Sequence, residues 1–143
     1  MSTRLARNAE RLCRARGARL TRQRRSVLEI VAASKRPLGA YEILDALRRE
    51  QPGAAPATVY RALDFLLEQG LVHRLESLHS YIRCVHPGEP HPGQFLICRD
   101  CGLVEEIEDP AIQRSIGRAA EHSGFQASDE VIEIRGRCRG CAR

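Results

Sequence analysis

The stretch ATVYRALDFLLEQG (residues 57–70), followed at once by LVHRLE (71–76), SLH and SYIRC (80–84), decides the fold. In its first piece Val59, Ala62, Leu63, Leu66 and Leu67 fall at i, i+3, i+4, i+7 and i+8, one apolar stripe along a helix. Gly70 stands where such a helix can end on a left-handed C′ residue. Tyr60, Arg61 and Asp64 lie off the stripe, the first two in the opening turns. The next piece changes to a period of two, and SLH provides a turn from which SYIRC returns as a second strand.

Three more helical patterns precede this one. Leu5, Ala9, Leu12 and Cys13 form an apolar stripe on a charged segment. Thr21 is placed to cap a second helix with Val27, Leu28 and Val31 inward. AYEILDALRRE gives a third, burying Ile43, Leu44 and Leu47, and PGAAP connects it to the fourth. Helices closed by a β-hairpin give the element order of a winged helix-turn-helix domain. Its recognition helix presents N-terminal residues to base edges in the major groove.

Charge agrees with that order. Residues 1–75 carry 15 Lys and Arg against 7 Asp and Glu, whereas residues 76–143 carry 8 against 11. A basic half joined to a mildly acidic one suits a chain whose first half meets a polyanion. A solvated arginine-rich surface would look the same, so charge supports the reading without deciding it. At 143 residues there is room for one ordinary domain or two small ones. No run approaches 18 apolar residues, and the arginine-studded start lacks an apolar signal core. The expectation is a cytoplasmic protein with no membrane partner, and in that compartment thiols stay reduced.

VHPGEPHPG (85–93), with three prolines and two glycines, reads as a hinge. The expected division is a winged-helix domain over 1–84, a linker over 85–93 and a second small domain over 94–143. In the second domain QFLIC and LVEEI flank a CRDCG turn, and VIEIRG precedes CRGC. Between them Asp109-Pro110 opens a helix with an apolar face of Ile112, Ile116, Ala119 and Ala120, ended by Gly124.

Each CxxC directly follows a predicted strand. Two such turns at the ends of neighbouring strands converge four thiolates, Cys98, Cys101, Cys138 and Cys141, the tetrahedral set that Zn²⁺ prefers. The 36 residues between the motifs exceed those of a compact zinc ribbon, but they hold strands and a helix that can bring the ends together. A redox CxxC belongs near a βαβ pattern, opening a helix, and neither motif is so placed. Iron–sulfur ligation by the same four thiolates stays open. A closed Cys₄ set leaves no open coordination position, so its role is to staple a domain with a small core. Cys13, on an apolar stripe, reads as a buried small hydrophobe. Cys84 ends the hairpin beside the hinge, near His73, His79, His86 and His91, a placement that suits a second, regulatory metal site.

The run APATVYRALDFLLEQGLVHRLES, then SYIRC, CRDCG and CRGC, resembles the ferric uptake regulator family, and its zinc-sensing branch in particular. The likeness extends from TRQR at 21–24 to Cys141. It implies an α+β protein: an N-terminal winged helix plus a small C-terminal α/β dimerisation domain, acting as a homodimer that represses promoters when loaded with metal. By position, Cys98, Cys101, Cys138 and Cys141 match the structural zinc set, and His73, Cys84, His91 and Glu106 match the zinc-sensing set. Tyr41, Tyr60 and Arg61 match positions expected to touch DNA. The HHDH run that precedes the first CxxC in iron-sensing relatives is absent, which removes ligands of a further site. His86 and His122 are either remnants of it or solvated histidines, and His79 is equally unassigned.

One thiolate, two imidazoles and a carboxylate suit tetrahedral Zn²⁺, whereas Mn²⁺ or octahedral Fe²⁺ would use more oxygen and nitrogen. The expected protein is therefore a regulator, not an enzyme: a zinc-responsive repressor of zinc uptake genes, with two Zn²⁺ per protomer and a pseudo-palindromic double-stranded operator. Arg61 would pair with guanine, Tyr41 and Tyr60 would contact thymine methyls or phosphates, and arginines of the first two helices would meet the backbone. The competing readings are an iron- or peroxide-sensing member of the family, a thiol oxidoreductase, and a zinc buffer or interaction module without specific DNA readout.

Overall fold

The computed structural model describes residues 3–88 and 91–142. Glu89 and Pro90 of the expected linker, and the chain ends Met1, Ser2 and Arg143, lie outside the described residues. The chain divides into two compact units, Met1–Pro90 and His91–Arg143.

The first unit holds α1 (Thr3–Ala15), α2 (Arg22–Ala33), α3 (Ala40–Glu50) and α4 (Pro56–Glu68), then β1 (Val72–Leu75) and β2 (Ser80–Arg83). Pro56 opens α4 at its first position, where its missing N–H costs nothing. At the other end Gly70, at φ 68°, lets its N–H reach Leu67 O at 3.0 Å, while Leu71 N–H reaches Leu66 O at 2.9 Å. This pair of bonds is a Schellman motif, and the left-handed residue it requires is glycine at little steric cost. Val59, Ala62, Leu63 and Leu66 are buried as their spacing predicts, and Leu67 is half-buried.

Around α4 the other helices close the core. Thr21 caps α2 by accepting from Arg24 N–H at 3.4 Å, and Val27, Leu28 and Val31 point inward. Ile43, Leu44 and Leu47 of α3 are buried, and Glu42 Oε1 accepts from Gly39 N–H at 3.2 Å at its start. The α1 stripe differs in part from the sequence expectation, with Ala9 and Cys13 as expected. Ala6, Ala9 and Cys13 are buried, whereas Leu5 and Leu12 are half-buried. Small side chains let α1 approach closely and are the most deeply buried, while Leu12 packs against the core from its margin.

The hairpin pairs β1 with β2 antiparallel, with His73 opposite Ile82 and Leu75 opposite Ser80. Its turn is a short 3₁₀ segment, Glu76–Leu78, closed by His79 at φ 48°. Leu38, in the α2–α3 connection, exchanges two backbone bonds with Tyr81 (3.0 and 2.8 Å), which fastens the wing to the entry of α3.

The second unit holds β3 (Gly93–Cys98), β4 (Val104–Glu106), α5 (Pro110–His122) and β5 (Val131–Gly136). Strand β3 is central, antiparallel to β4 and parallel to β5, with Cys98 opposite Gly136. Asp109 caps α5 by accepting from Ala111 N–H at 2.9 Å, and buried Gln94 exchanges hydrogen bonds with the Asp109 backbone. No residue of α5 is buried, and its predicted apolar face, Ile112 to Ala120, remains half-buried or exposed. No helix among the described residues is long and apolar enough to cross a membrane.

Candidate metal centre and nucleic-acid interface

Because β3 and β5 run parallel and in register to Cys98 and Gly136, their C-terminal ends lie side by side. Both CxxC turns therefore leave the same edge of the sheet. The first turn is closed by Gly102 N–H to Cys98 O (3.1 Å) and Cys98 N–H to Leu103 O (2.8 Å). The second is closed by Cys141 and Ala142 N–H to Cys138 O, at 3.0 and 2.8 Å. Arg99 N–H bonds to Gly136 O at 2.8 Å, so one turn leans on the other. The sulfurs of Cys98, Cys101, Cys138 and Cys141 all lie within 4.8 Å of one another.

That arrangement can be tested against metal geometry. Zinc–sulfur bonds of about 2.3 Å give a tetrahedron with edges of about 3.8 Å. Cys101 Sγ and Cys138 Sγ are 3.7 Å apart. The electrostatics point the same way. Backbone N–H groups of Cys101 and Cys138 pull the Cys98 thiol down to about 6, one of them the Cys138 N–H at 3.3 Å. The Leu103 backbone N–H works in the same direction on Cys101, but the Cys98 and Cys138 sulfurs outweigh it and raise that thiol. Cys141, crowded by Cys138, Cys98 and Cys101, is pushed up to about 12. Four sulfurs this close cannot all carry charge unless a cation sits among them. The residues fit Zn²⁺.

One support of this cage is not announced by the cysteines. Arg137 Nε donates to Asp100 Oδ2 at 2.7 Å, pairing the residue before CRGC with a residue inside CRDC. The opposite charges are visible in the sequence, but nothing there aligns them. Cys13, by contrast, is buried in the core of the first unit, and burial pushes its thiol up, as suits a packing residue.

The residues matched to metal sensing are carried by both units. In the first, His73 lies half-buried on β1, and Cys84 is buried just past β2 with its N–H on Leu71 O at 3.0 Å. In the second, His91 Nε2 and Glu106 Oε1 are 2.8 Å apart, with little of either side chain exposed. His122 Nδ1 lies 2.8 Å from Arg118 O within its own helix. Among the described residues, His79, His86 and His122 fall in no cluster of potential ligands.

In the first unit, α4 keeps its apolar stripe inward and leaves Tyr60 and Arg61 exposed. Tyr41 stands in the first turn of α3 and is two-thirds exposed (67 %). Tyr41 and Tyr60 line one shallow depression together with Arg74, His79 and Tyr81 of the wing. The depression exists because the Leu38–Tyr81 bridge holds the wing against the start of α3. Arg74 and His79 were not predicted as part of this face, since hairpin alternation does not say which side meets α3.

The ferric uptake regulator family model matches residues 15–135. The chain belongs to that family. Among curated members, the zinc uptake regulation protein of Escherichia coli (strain K12) is 42 % identical over 134 residues, spanning 93 % of this chain and 78 % of that protein. A crystal structure of holo XcZur is 41 % identical, covers 99 % of each chain and superposes with a TM-score of 0.92. A zinc uptake regulator complexed with zinc and DNA is 40 % identical, covers 98 % of this chain and 95 % of that one, with a TM-score of 0.93. Within this family the fold class read from the sequence holds, with a winged helix-turn-helix unit followed by a small mixed α/β unit bearing the Cys₄ cluster.

Proposed function

We propose that this protein is a zinc-responsive, sequence-specific transcriptional repressor of zinc uptake genes, acting in the cytoplasm as a homodimer on a pseudo-palindromic operator. One observation carries the reading: nearly the whole chain follows a zinc uptake regulator complexed with zinc and DNA. The basic first half and the exposed start of α4 support it. On this reading it is a binding protein and not an enzyme, and its Cys₄ set, with no open coordination position, is structural rather than catalytic. Its functional division is a DNA-reading domain over 1–84, a linker over 85–93 and a dimerisation domain over 94–143.

Two Zn²⁺ per protomer are assigned. Cys98, Cys101, Cys138 and Cys141 hold the structural ion, and His73, Cys84, His91 and Glu106 hold the regulatory one. A bound zinc supplies a four-coordinate centre of mixed softness that one thiolate, two imidazoles and one carboxylate satisfy together. His73 and Cys84 belong to the wing and its exit, whereas His91 and Glu106 belong to the second unit. Donors drawn from both units make domain orientation depend on occupancy, and the ligand shifts it only by its differential affinity for the two states. In the dimer, each α4 enters a major groove, with Arg61 forming a bidentate pair with guanine and Tyr41 and Tyr60 touching thymine methyls or phosphates. Arginines of α1 and α2 add salt-sensitive phosphate contacts.

A metal-buffered DNA-binding titration tests this, using duplexes selected from a random pool by the wild type at saturating zinc. Zinc is expected to raise affinity for the selected duplex and not for random DNA. Cys84→Ser should lose one zinc per protomer and weaken zinc-dependent binding by roughly 5- to 150-fold, a typical coupling range. Structural zinc should be retained. If Cys84→Ser responds to zinc as the wild type does, His73, Cys84, His91 and Glu106 are not the sensor. Restoration of binding by Fe²⁺ instead of Zn²⁺ would move the protein to the iron-sensing branch.

A further inference from the structure

The two CxxC turns lie 36 residues apart in the chain, so what holds one turn against the other decides whether four sulfurs stay together. Two backbone bonds do this at one end. Arg99 N–H donates to Gly136 O at 2.8 Å, and Cys138 N–H donates to Cys98 Sγ at 3.3 Å. Main-chain donors make both, so almost any residue would supply them. Both fall at the Cys98 end of the first turn, where the cysteine is buried.

The Cys101 end is different. Cys101 is exposed, and its sulfur lies 3.7 Å from Cys138 Sγ. Asp100 immediately precedes Cys101, and Arg137 immediately precedes Cys138. Their side chains meet, with Arg137 Nε donating to Asp100 Oδ2 at 2.7 Å. The ion pair therefore runs beside the Cys101–Cys138 edge of the cage, and here the tie depends on side chains. Thiolates repel one another as soon as one of them loosens from a central cation. An exposed cysteine is the one free to swing into solvent, and the pair resists that swing.

We infer that Asp100 and Arg137 are positioning residues for the Cys₄ cage. By holding Cys101 on Cys138 they set how slowly its metal is released. Neither belongs to the set of four sulfurs. The inference rests on the structural zinc assigned above to Cys98, Cys101, Cys138 and Cys141. On the zinc-responsive reading it also separates the duties of the two metal sets, because a slowly exchanging cage leaves His73, Cys84, His91 and Glu106 to follow free zinc. A pair that acted only on overall stability would expose all four cage cysteines together. A pair that holds one edge governs Cys101 first.

The experiment mixes zinc-loaded, full-length protein with excess chelator and a thiol-alkylating reagent, and follows zinc release and the labelling of each cysteine by peptide mass spectrometry. Wild type, Asp100→Asn, Arg137→Gln, the double variant and Arg139→Gln are compared. In the wild type Cys101 should label ahead of Cys98, Cys138 and Cys141. Asp100→Asn and Arg137→Gln should each speed Cys101 labelling roughly 2- to 5-fold, the range of an exposed ion pair. The double variant should be no faster than either single one, and Cys13, in the core of the first unit, should keep its wild-type rate. High salt should bring the wild type toward the variants, because the pair is exposed. Arg139→Gln, which removes the same charge from the same turn, should change nothing. A wild-type rate in Arg137→Gln, additive effects in the double variant, or an equal acceleration in Arg139→Gln overturns the inference. A wild type whose cage cysteines label at a free-thiol rate with no zinc released overturns the cage assignment itself, and the pair falls with it.

Discussion

Helices α4 and α5 carry the same local signals and meet opposite fates. Each has 13 residues, opens on a proline at its first position and closes on a Schellman turn, at Gly70 and Gly124 respectively. Each has an apolar stripe. Yet α4 buries Val59, Ala62, Leu63 and Leu66, whereas α5 buries none of its residues. Capping and periodicity make a helix, but what covers the apolar stripe is settled elsewhere. In the first unit the cover is α2 and α3, which pack directly against α4. Among the described residues of the second unit burial is confined to β3, and exposed Leu96, Leu103, Ile116, Phe125, Val131 and Ile134 are left on the surface of the single chain. The first unit is held by side-chain packing, whereas on the proposed function the second relies on a metal held by its four thiolates and on a second copy of itself.

The largest test of this contrast removes the cage. Cys98→Ser should lose the structural zinc and unfold the second unit, because structural zinc binding in small domains supplies folding free energy of about 10–16 kcal/mol. The helical signal of the first unit should survive. A dimeric Cys98→Ser protein with wild-type zinc content would sink the assignment.

Next come matched truncations of the two apolar stripes. Leu63→Ala, in the filled core, should cost about 2–5 kcal/mol in urea denaturation of the first unit. Ile116→Ala, on the uncovered stripe, should barely move that transition but should weaken self-association in sedimentation. Equal costs in denaturation would erase the distinction between the units.

On the reading face of α4, Arg61→Ala should lose about 1–3 kcal/mol at the selected duplex and relax base preference, as for a bidentate base contact. Replacing Arg4 or Arg7 on α1 should weaken all DNA alike and flatten the salt dependence. Competition binding against singly substituted duplexes separates the two patterns.

The smallest effect is at the start of α3, where the Arg36 guanidinium, then Gly39 N–H, holds the Glu42 carboxyl below its ordinary range. A pKa lower in the folded than in the unfolded chain adds stability above the unfolded value, and that stability is lost as pH falls through the folded one. The pair is solvent-exposed, so Glu42→Gln should cost under about 1 kcal/mol at neutral pH. The difference from wild type should vanish in acid. A difference that persists there would assign it to something other than the carboxylate.

Much of this was legible in the sequence because the signals were local. The α4 stripe, the Thr21 and Asp109 caps and the strand-then-CxxC order all concern residues a few positions apart, where helix and strand periods dominate. The parts that were not legible depend on long-range registration. The depression shared by Tyr41, Tyr60, Arg74 and His79 follows from two backbone bonds between Leu38 and Tyr81, which no side-chain pattern encodes. The Asp100–Arg137 pair depends on the parallel register of β3 and β5. On α1, the spacing placed Ala9 and Cys13 in the core, but it did not show that close approach buries Ala6 more fully than Leu5 or Leu12.

The parallel pairing of β3 with β5 also sets an order of events during synthesis. The first unit is complete by residue 90 and can fold while translation continues, as N-terminal domains generally do. Strand β3 can pair with β4 as soon as that strand follows, but its parallel neighbour β5 is the last of the described strands to be made. Until CRGC emerges, a nascent chain carries a complete first unit and a pair of thiols, Cys98 and Cys101, whose partners are not yet made. On the proposed function, the structural zinc can be fully ligated only after Cys138 and Cys141 have joined that pair, so metal capture is the last step in building the second unit.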